Sequence, residues 1–235
     1  MSNHRTLIGT CEQKVYQKGF PRFILGDLTE LRNKRVLDVG CGAGNLGEVL
    51  QKQGNDCYGI TLSQREAELA RSKLTQVIVT DLDATSELPF AKDFFDVVIC
   101  TDVLEHLKNP KHALELIRPY LRSDGFLITS IPNIANVEIR LKLLCGRFDY
   151  AEFGILDNTH LRFFTMETAK ELLTSAGYAV RRITFTNWSY TLPKLLAPFY
   201  EWEIKQRLTR WWPGLFATQF VFHASALPGI KPCAE

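Results

Sequence analysis

The sequence predicts an α/β fold built on a mostly parallel sheet covered on both faces by helices. Three observations carry that expectation. Short apolar runs rich in β-branched residues recur along the chain, amphipathic stretches at helical spacing lie between them, and one run leads straight into a glycine-rich turn that opens a helix.

The expected strands are 35–40 (RVLDVG), 56–60 (DCYGI), 76–80 (QVIVT), 95–100 (FDVVIC) and 126–131 (FLITSI), followed later by 178–185 and 218–224. Between them, 45–53, 63–73 and 110–121 place apolar residues at the spacing of helices. Ser63 followed by Glu66 reads as a capping box, and Ser123-Asp124-Gly125 as a turn before the fifth strand. Two segments, 134–164 and 187–216, are too long for plain connections, so they are expected to form caps over the C-terminal ends of the strands. With 235 residues, 46% of them hydrophobic, the chain suits one domain. Its parts are an N-terminal helical cap (1–34), a ligand-binding core (35–133), the two cap insertions and a last strand (217–226).

Composition removes several classes of function. Lys and Arg total 28 against 26 Asp and Glu, with no long run of one sign, so no nucleic-acid partner is expected. The six cysteines, at 11, 41, 57, 100, 145 and 233, form neither a CxxC pair nor a zinc spacing; reduced thiols and no metal site are expected. The first residues, MSNHRTLIGTCEQ, have no apolar core of a signal peptide, and no segment is apolar for long enough to span a membrane. The expected location is the cytoplasm. No repeat or low-complexity tract is visible.

The sharpest signal is Val36-Leu37-Asp38-Val39-Gly40-Cys41-Gly42-Ala43-Gly44-Asn45, a strand, a glycine turn and a helix start in succession. Glycines let a ligand approach the main chain, and the helix start offers free N–H groups. The same residues satisfy GxGxxG (Gly42, Gly44, Gly47), so a dinucleotide is one reading. Two residues speak against it. Asp38 would repel a pyrophosphate but attract an ammonium group, and the second strand ends on Thr61 where a dinucleotide site wants an acid for the ribose hydroxyls.

DVGCGAGN resembles the first motif of class I S-adenosylmethionine-dependent methyltransferases, and further motifs follow in order over about residues 35–132. Asp81-Leu82-Asp83 resembles the segment that contacts adenine in that family. Glu87-Leu88-Pro89-Phe90 and Phe94-Phe95-Asp96 resemble its approach to the fourth strand. Thr101-Asp102-Val103-Leu104-Glu105-His106-Leu107 resembles the segment bordering the methionine end of the cofactor and the substrate. The resemblance implies a Rossmann-like, doubly wound, seven-stranded sheet with six parallel strands and one antiparallel. It also implies S-adenosylmethionine as cofactor and S-adenosylhomocysteine as product, held by Asp38, Gly40, Cys41, Gly42, Gly44, Asn45, Thr61, Leu62, Asp81, Leu82, Asp83, Thr101 and Asp102. The departure is Thr61, where the family usually has Asp or Glu; similar ITLS segments occur in the cyclopropane-fatty-acid-synthase branch. Either Thr61 bonds the ribose with Gln64 or Glu66 reaching in from the helix, or it only ends a strand.

Residues 130–165 resemble the branch related to the methionine biosynthesis protein MetW. That likeness implies a small-molecule acceptor methylated on O or N and no fixed substrate. It also leaves room for an accessory protein that binds a partner enzyme, or for a homodimer. Candidate catalytic residues are His160, in the polar run DNTH, and His106 and Glu105 after the fourth strand. His160 is read as a general base or as a structural histidine in the Asp157 turn. His106 is preferred for substrate or base work, and Glu105 as an anchor. The aromatic residues of 187–216, among them Trp188, Tyr190, Phe199, Tyr200, Trp202, Trp211, Trp212 and Phe216, admit three readings: a lid on the sheet edge, an acceptor pocket, or a membrane-surface or partner helix.

Overall fold

The computed structural model describes residues 25–186 and 202–227. Seven strands, β1 (Arg35–Val39), β2 (Asp56–Thr61), β3 (Gln76–Val79), β4 (Phe95–Thr101), β5 (Leu121–Pro132), β6 (Tyr178–Thr186) and β7 (Gln219–Ala226), form one sheet in the order β3-β2-β1-β4-β5-β7-β6. β7 runs antiparallel to both neighbours and the other strands are mutually parallel, as expected. Alternation within the strands feeds two cores. Leu37, Val39, Val98 and Cys100 pack on one face with Phe95, Tyr120 and Phe222, whereas Val36, Val97 and Ile99 pack on the other with Leu46, Leu50 and Ala70. Helices covering both faces explain why these strands are apolar at successive positions.

The helices are α1 (Leu25–Leu28), α2 (Asn45–Lys52), α3 (Gln64–Ala70), α4 (Pro110–Ile117), α5 (Val137–Leu144), α6 (Met166–Ser175), α7 (Trp202–Trp211) and α8 (Pro213–Phe216). Three expectations need correction. The helix expected over 110–121 ends at Ile117 because Pro119 forces a 3₁₀ turn over Arg118–Tyr120. The turn expected at Ser123-Asp124-Gly125 lies inside β5. There the register with β4 slips between Phe95 and Val97, and a side chain at Gly125 would sit 2.8 Å from the Asp96 carbonyl. The capping box at Ser63 is half made: Ser63 Oγ accepts from the Glu66 N–H at 3.3 Å, but the Glu66 carboxylate turns to Thr61 instead.

Of the N-terminal cap expected over 1–34, residues 1–24 lie outside the described residues, and α1 is its described helix. The 134–164 segment holds α5 and then an irregular stretch pinned by bridges from Asn133 to Phe164 and from Ala151 to Asp157. In the second insertion, Trp188, Tyr190, Phe199 and Tyr200 lie outside the described residues. Trp211 is 81% exposed and Trp212 is also exposed, so neither packs as a lid on the sheet edge. The described end of that insertion is tied to the first: Asn133 and Asn136 side chains donate to the carbonyls of Gly214 and Ala217.

Candidate active site

The order of strands reverses between β1 and β4, and a parallel sheet opens a crevice at that switch point beyond the strands' C-terminal ends. The glycine turn lies there. Gly40, Gly42 and Gly44 all take positive φ (74°, 51° and 75°), a conformation that costs other residues about 1–2 kcal/mol. Gly40 and Cys41 donate their N–H groups to the Ile60 carbonyl at 2.8 and 2.9 Å, which fastens the turn across β2. A Cβ on Gly40 would strike Val103 at 2.4 Å, and one on Gly44 would press on Ala70 at 3.1 Å. Lys73, in the turn that follows α3, closes the glycine turn, donating to the Ala43 carbonyl (2.9 Å) and to Asn45 Oδ1 (2.6 Å).

Asp38 lies beneath the turn, paired in register with Gly59 and Ile99 and 4% exposed. Burial pushes its carboxyl up to about 7. At the end of β2, Thr61 Oγ1 donates to Glu66 Oε2 at 2.9 Å and accepts from the Ser63 N–H at 3.2 Å. The other oxygen of Glu66 stands 3.8 Å from the position a Gly42 side chain would occupy. A carboxylate therefore stands at the end of the second strand after all, delivered by the first turn of α3 rather than by the strand. Leu62 beside it is 41% exposed.

After β3, Asp81 is exposed and accepts the Asp83 N–H at 2.9 Å, while Leu82 is buried. The two acids differ in use. Asp83 spends both oxygens on the N–H groups of Lys108 and Asn109 (2.9 and 2.8 Å), so it braces the loop after β4. At the end of β4, Thr101 pairs with Ser130, and Asp102 takes a left-handed φ of 55°. The Asp102 carboxylate accepts from Ser130 Oγ at 2.8 Å and from the Gln219 side-chain amide. Burial of the carboxyl, the largest effect, raises it, and these two hydrogen bonds lower it, while the residue as a whole keeps an exposed surface. Ser130 and Gln219 had no signal in the sequence, since each meets Asp102 only through the strand order.

Beyond Val103, Glu105 and His106 turn under the first cap insertion. The Glu105 carbonyl accepts the N–H groups of Leu161 and Arg162 at 2.8 and 3.0 Å, so it is the backbone of this residue that anchors the cap. Its carboxyl is 1% exposed, and neither oxygen has a hydrogen-bond partner among the described residues. Burial first, and then the charges of Asp102 and Asp157, push Glu105 well above the usual carboxylate range, which favours its neutral form. His160 Nε2 stands 4.0 Å from Glu105 Oε1, and the His106 and His160 rings meet edge to face with centroids 4.7 Å apart. The cap thus brings together all three residues singled out for catalysis. Their donor atoms lie within 4.8 Å of one another, and a carboxylate with two imidazoles is a donor set that suits a proton or a cation, a cluster the sequence did not predict. Phe163, Phe148 and Tyr150 continue outward from His160 as a chain of ring contacts.

A seven-stranded sheet of this order, with a glycine crevice over a buried Asp and an acid at the end of β2, defines a class I S-adenosylmethionine-dependent methyltransferase. The comparisons agree. A family profile described as "Methyltransferase domain" matches residues 13–183, and the chain belongs to that family. It is 31% identical over 168 residues to the ubiquinone biosynthesis O-methyltransferase of Azoarcus sp. strain BH72, a match covering 66% of this chain and 71% of that one. Among solved structures it resembles an S-adenosylmethionine-dependent methyltransferase of Thermotoga maritima, described as a possible histamine N-methyltransferase. There the TM-score is 0.60 at 18% identity, over 86% of this chain and 87% of that one. It also resembles the magnesium protoporphyrin IX methyltransferase of Synechocystis with bound S-adenosylhomocysteine (TM-score 0.57, 18% identity, 87% and 79% covered). No helix among the described residues is long and apolar enough to cross a membrane.

Proposed function

We propose that this methyltransferase moves a methyl group to a hydroxyl oxygen of a small, apolar or aromatic acceptor. The observation that carries the reading is the Glu105, His106 and His160 cluster, joined through Val103 to the glycine crevice. The crevice fits the cofactor. Gly42 leaves open the space where a side chain would stand, Gly40 and Gly44 let the turn pack on Val103 and Ala70, Asp38 offers a carboxylate to an ammonium group, and Glu66 with Thr61 offers oxygen atoms to ribose hydroxyls. Of the two acids in the adenine-contacting segment, Asp83 is engaged by the loop after β4, so Asp81 is the acid left for the adenine amino group, with Leu62 and Leu82 giving apolar contact. S-adenosylmethionine supplies an electrophilic methyl on sulfur.

The chain's own residues then have three tasks. Thr101 and Asp102 shape the inner end of the crevice, with Asp102 held in place by Ser130 and Gln219. The rings beyond His160 give the acceptor an apolar approach and exclude water. The histidine pair takes the hydroxyl proton. The acceptor O–H proton would pass to an imidazole nitrogen, leaving its electron pair on oxygen for the methyl group that bound S-adenosylmethionine would supply, with S-adenosylhomocysteine as the leaving group. His106 is partly open to solvent, whereas the His160 side chain is 6% exposed beside Glu105, so His106 receives the proton and His160 stands behind it.

The O-methyltransferase relatives support an oxygen acceptor. Catechol as acceptor, with methyl-labelled S-adenosylmethionine, provides the test. The wild type should methylate it, and His106→Asn should lower kcat about 100-fold. No labelled methyl ether from the wild type, or a variant as fast as the wild type, would refute the reading.

A further inference from the structure

The hydrogen bonds around His106 decide which of its nitrogens is basic. Its Nδ1 lies 3.2 Å from the Thr159 carbonyl oxygen and 3.1 Å from Thr159 Oγ1. A carbonyl can only accept, so Nδ1 must be the donor. The hydroxyl agrees. Thr159 has one O–H proton, and it is directed to Asp157 Oδ1 at 2.7 Å, so Oγ1 presents a lone pair to the ring. Asp157 Oδ1 also accepts the Thr159 N–H at 2.8 Å, which fixes the hydroxyl's orientation, and both residues are buried behind the ring. His160 follows the same rule, with Nδ1 donating to the Ile155 carbonyl at 3.0 Å.

We infer that Asp157 and Thr159 are positioning residues: through an Asp157–Thr159–His106 chain they hold the neutral His106 ring as the Nδ1–H tautomer and keep the lone pair on Nε2. This rests on the reading that His106 is the base. As the acceptor proton arrives on Nε2, the ring becomes a cation whose Nδ1–H already points along a chain ending in a carboxylate. No atom has to reorganise for the charge to be met. The charged and titratable groups at the ring are Glu105 from its own loop, His160 from the cap and, behind Thr159, Asp157. Asp157 is the one connected to the ring through a hydrogen-bonded chain. The cap insertion therefore does more than cover the crevice. It supplies the groups that choose the reactive nitrogen of a histidine carried by the core.

The test reads the tautomer directly. In protein labelled with ¹⁵N-histidine and free of substrate, long-range proton–nitrogen spectra should show His106, identified by its loss in His106→Asn, with Nδ1 protonated and Nε2 bare. Thr159→Val, which removes the hydroxyl and keeps the shape, should produce a second population protonated on Nε2. It should also lower kcat for catechol about tenfold with KM and S-adenosylhomocysteine affinity unchanged. Thr159→Ser, which restores the hydroxyl, should recover both readouts, and retained S-adenosylhomocysteine binding shows that each variant is folded. A wild-type His106 protonated on Nε2, or a Thr159→Val protein with the tautomer unchanged, overturns the inference whatever the activity. An active His106→Asn enzyme would instead overturn the assignment of the base.

Discussion

Asp38 has the clearest consequence at the scale of single residues. Its carboxyl is raised from the ordinary 3.8 to about 7 by burial alone, because the crevice gives it no cation among the described residues. In the folded state without cofactor it keeps a proton that the unfolded chain has lost by about pH 4. Its contribution to stability therefore declines as pH rises from about 4 to about 7. Binding a cationic amino group reverses the preference. Affinity for S-adenosylhomocysteine should then weaken by up to about tenfold per pH unit below about 7 and level off above it. Titration calorimetry in buffers of different ionisation enthalpy should show a proton released on binding near pH 6 and almost none near pH 8.5. Asp38→Asn should bind more weakly at pH 8 and lose the slope, and a wild-type affinity independent of pH would contradict this role. Single residues were also where the sequence reading stopped. Asp38 and the glycines announced themselves by their spacing, but Ser130, Gln219 and Thr159 reach the site only because β5 pairs with β4, β7 pairs with β5, and the cap folds over the loop after β4.

Elements explain the largest departure from the family pattern. Thr61 stands where an acid is usual, and the structure shows why a site can persist: α3 starts three residues later, and its first turn swings Glu66 back onto the strand end. The same side chain was legible as a capping residue, and that reading was half right. The Ser63 hydroxyl does cap the helix, while the Glu66 carboxylate is withdrawn from the Ser63 N–H because Thr61 Oγ1 takes its place there. If Glu66 holds the ribose hydroxyls, Glu66→Ala should weaken S-adenosylhomocysteine binding about tenfold or more, since two hydrogen bonds to a charged acceptor are lost. Thermal melting checks the alternative. A capping carboxylate alone would cost stability without changing affinity, and an unchanged dissociation constant would remove Glu66 from the cofactor site.

At the scale of the molecule, the strand alternation gave the layered α/β class, but strand order is not written in any one strand. Apolar runs of similar length and composition do not say which neighbour each will choose. The resemblance to the methyltransferases implied the seven-stranded arrangement, and the structure bears it out. What the alternation could not convey is that β1 and β4 become neighbours, so that Gly40 meets Val103 and the two halves of the crevice close on each other. The start of β5 likewise hid from the sequence, since a turn signature at 123–125 was absorbed as a bulge within a continuous strand.

The central claim, that the glycine crevice at this switch point holds the cofactor, is tested most directly by titrating S-adenosylhomocysteine into the wild type and Gly42→Val in parallel. Gly42 has φ 51° and faces Glu66, so valine there both strains the turn and fills the space beside the carboxylate. The account predicts micromolar binding by the wild type and at least a 100-fold loss in the variant, with far-ultraviolet circular dichroism unchanged. Equal affinity in the two proteins, or no binding by the wild type, would contradict it.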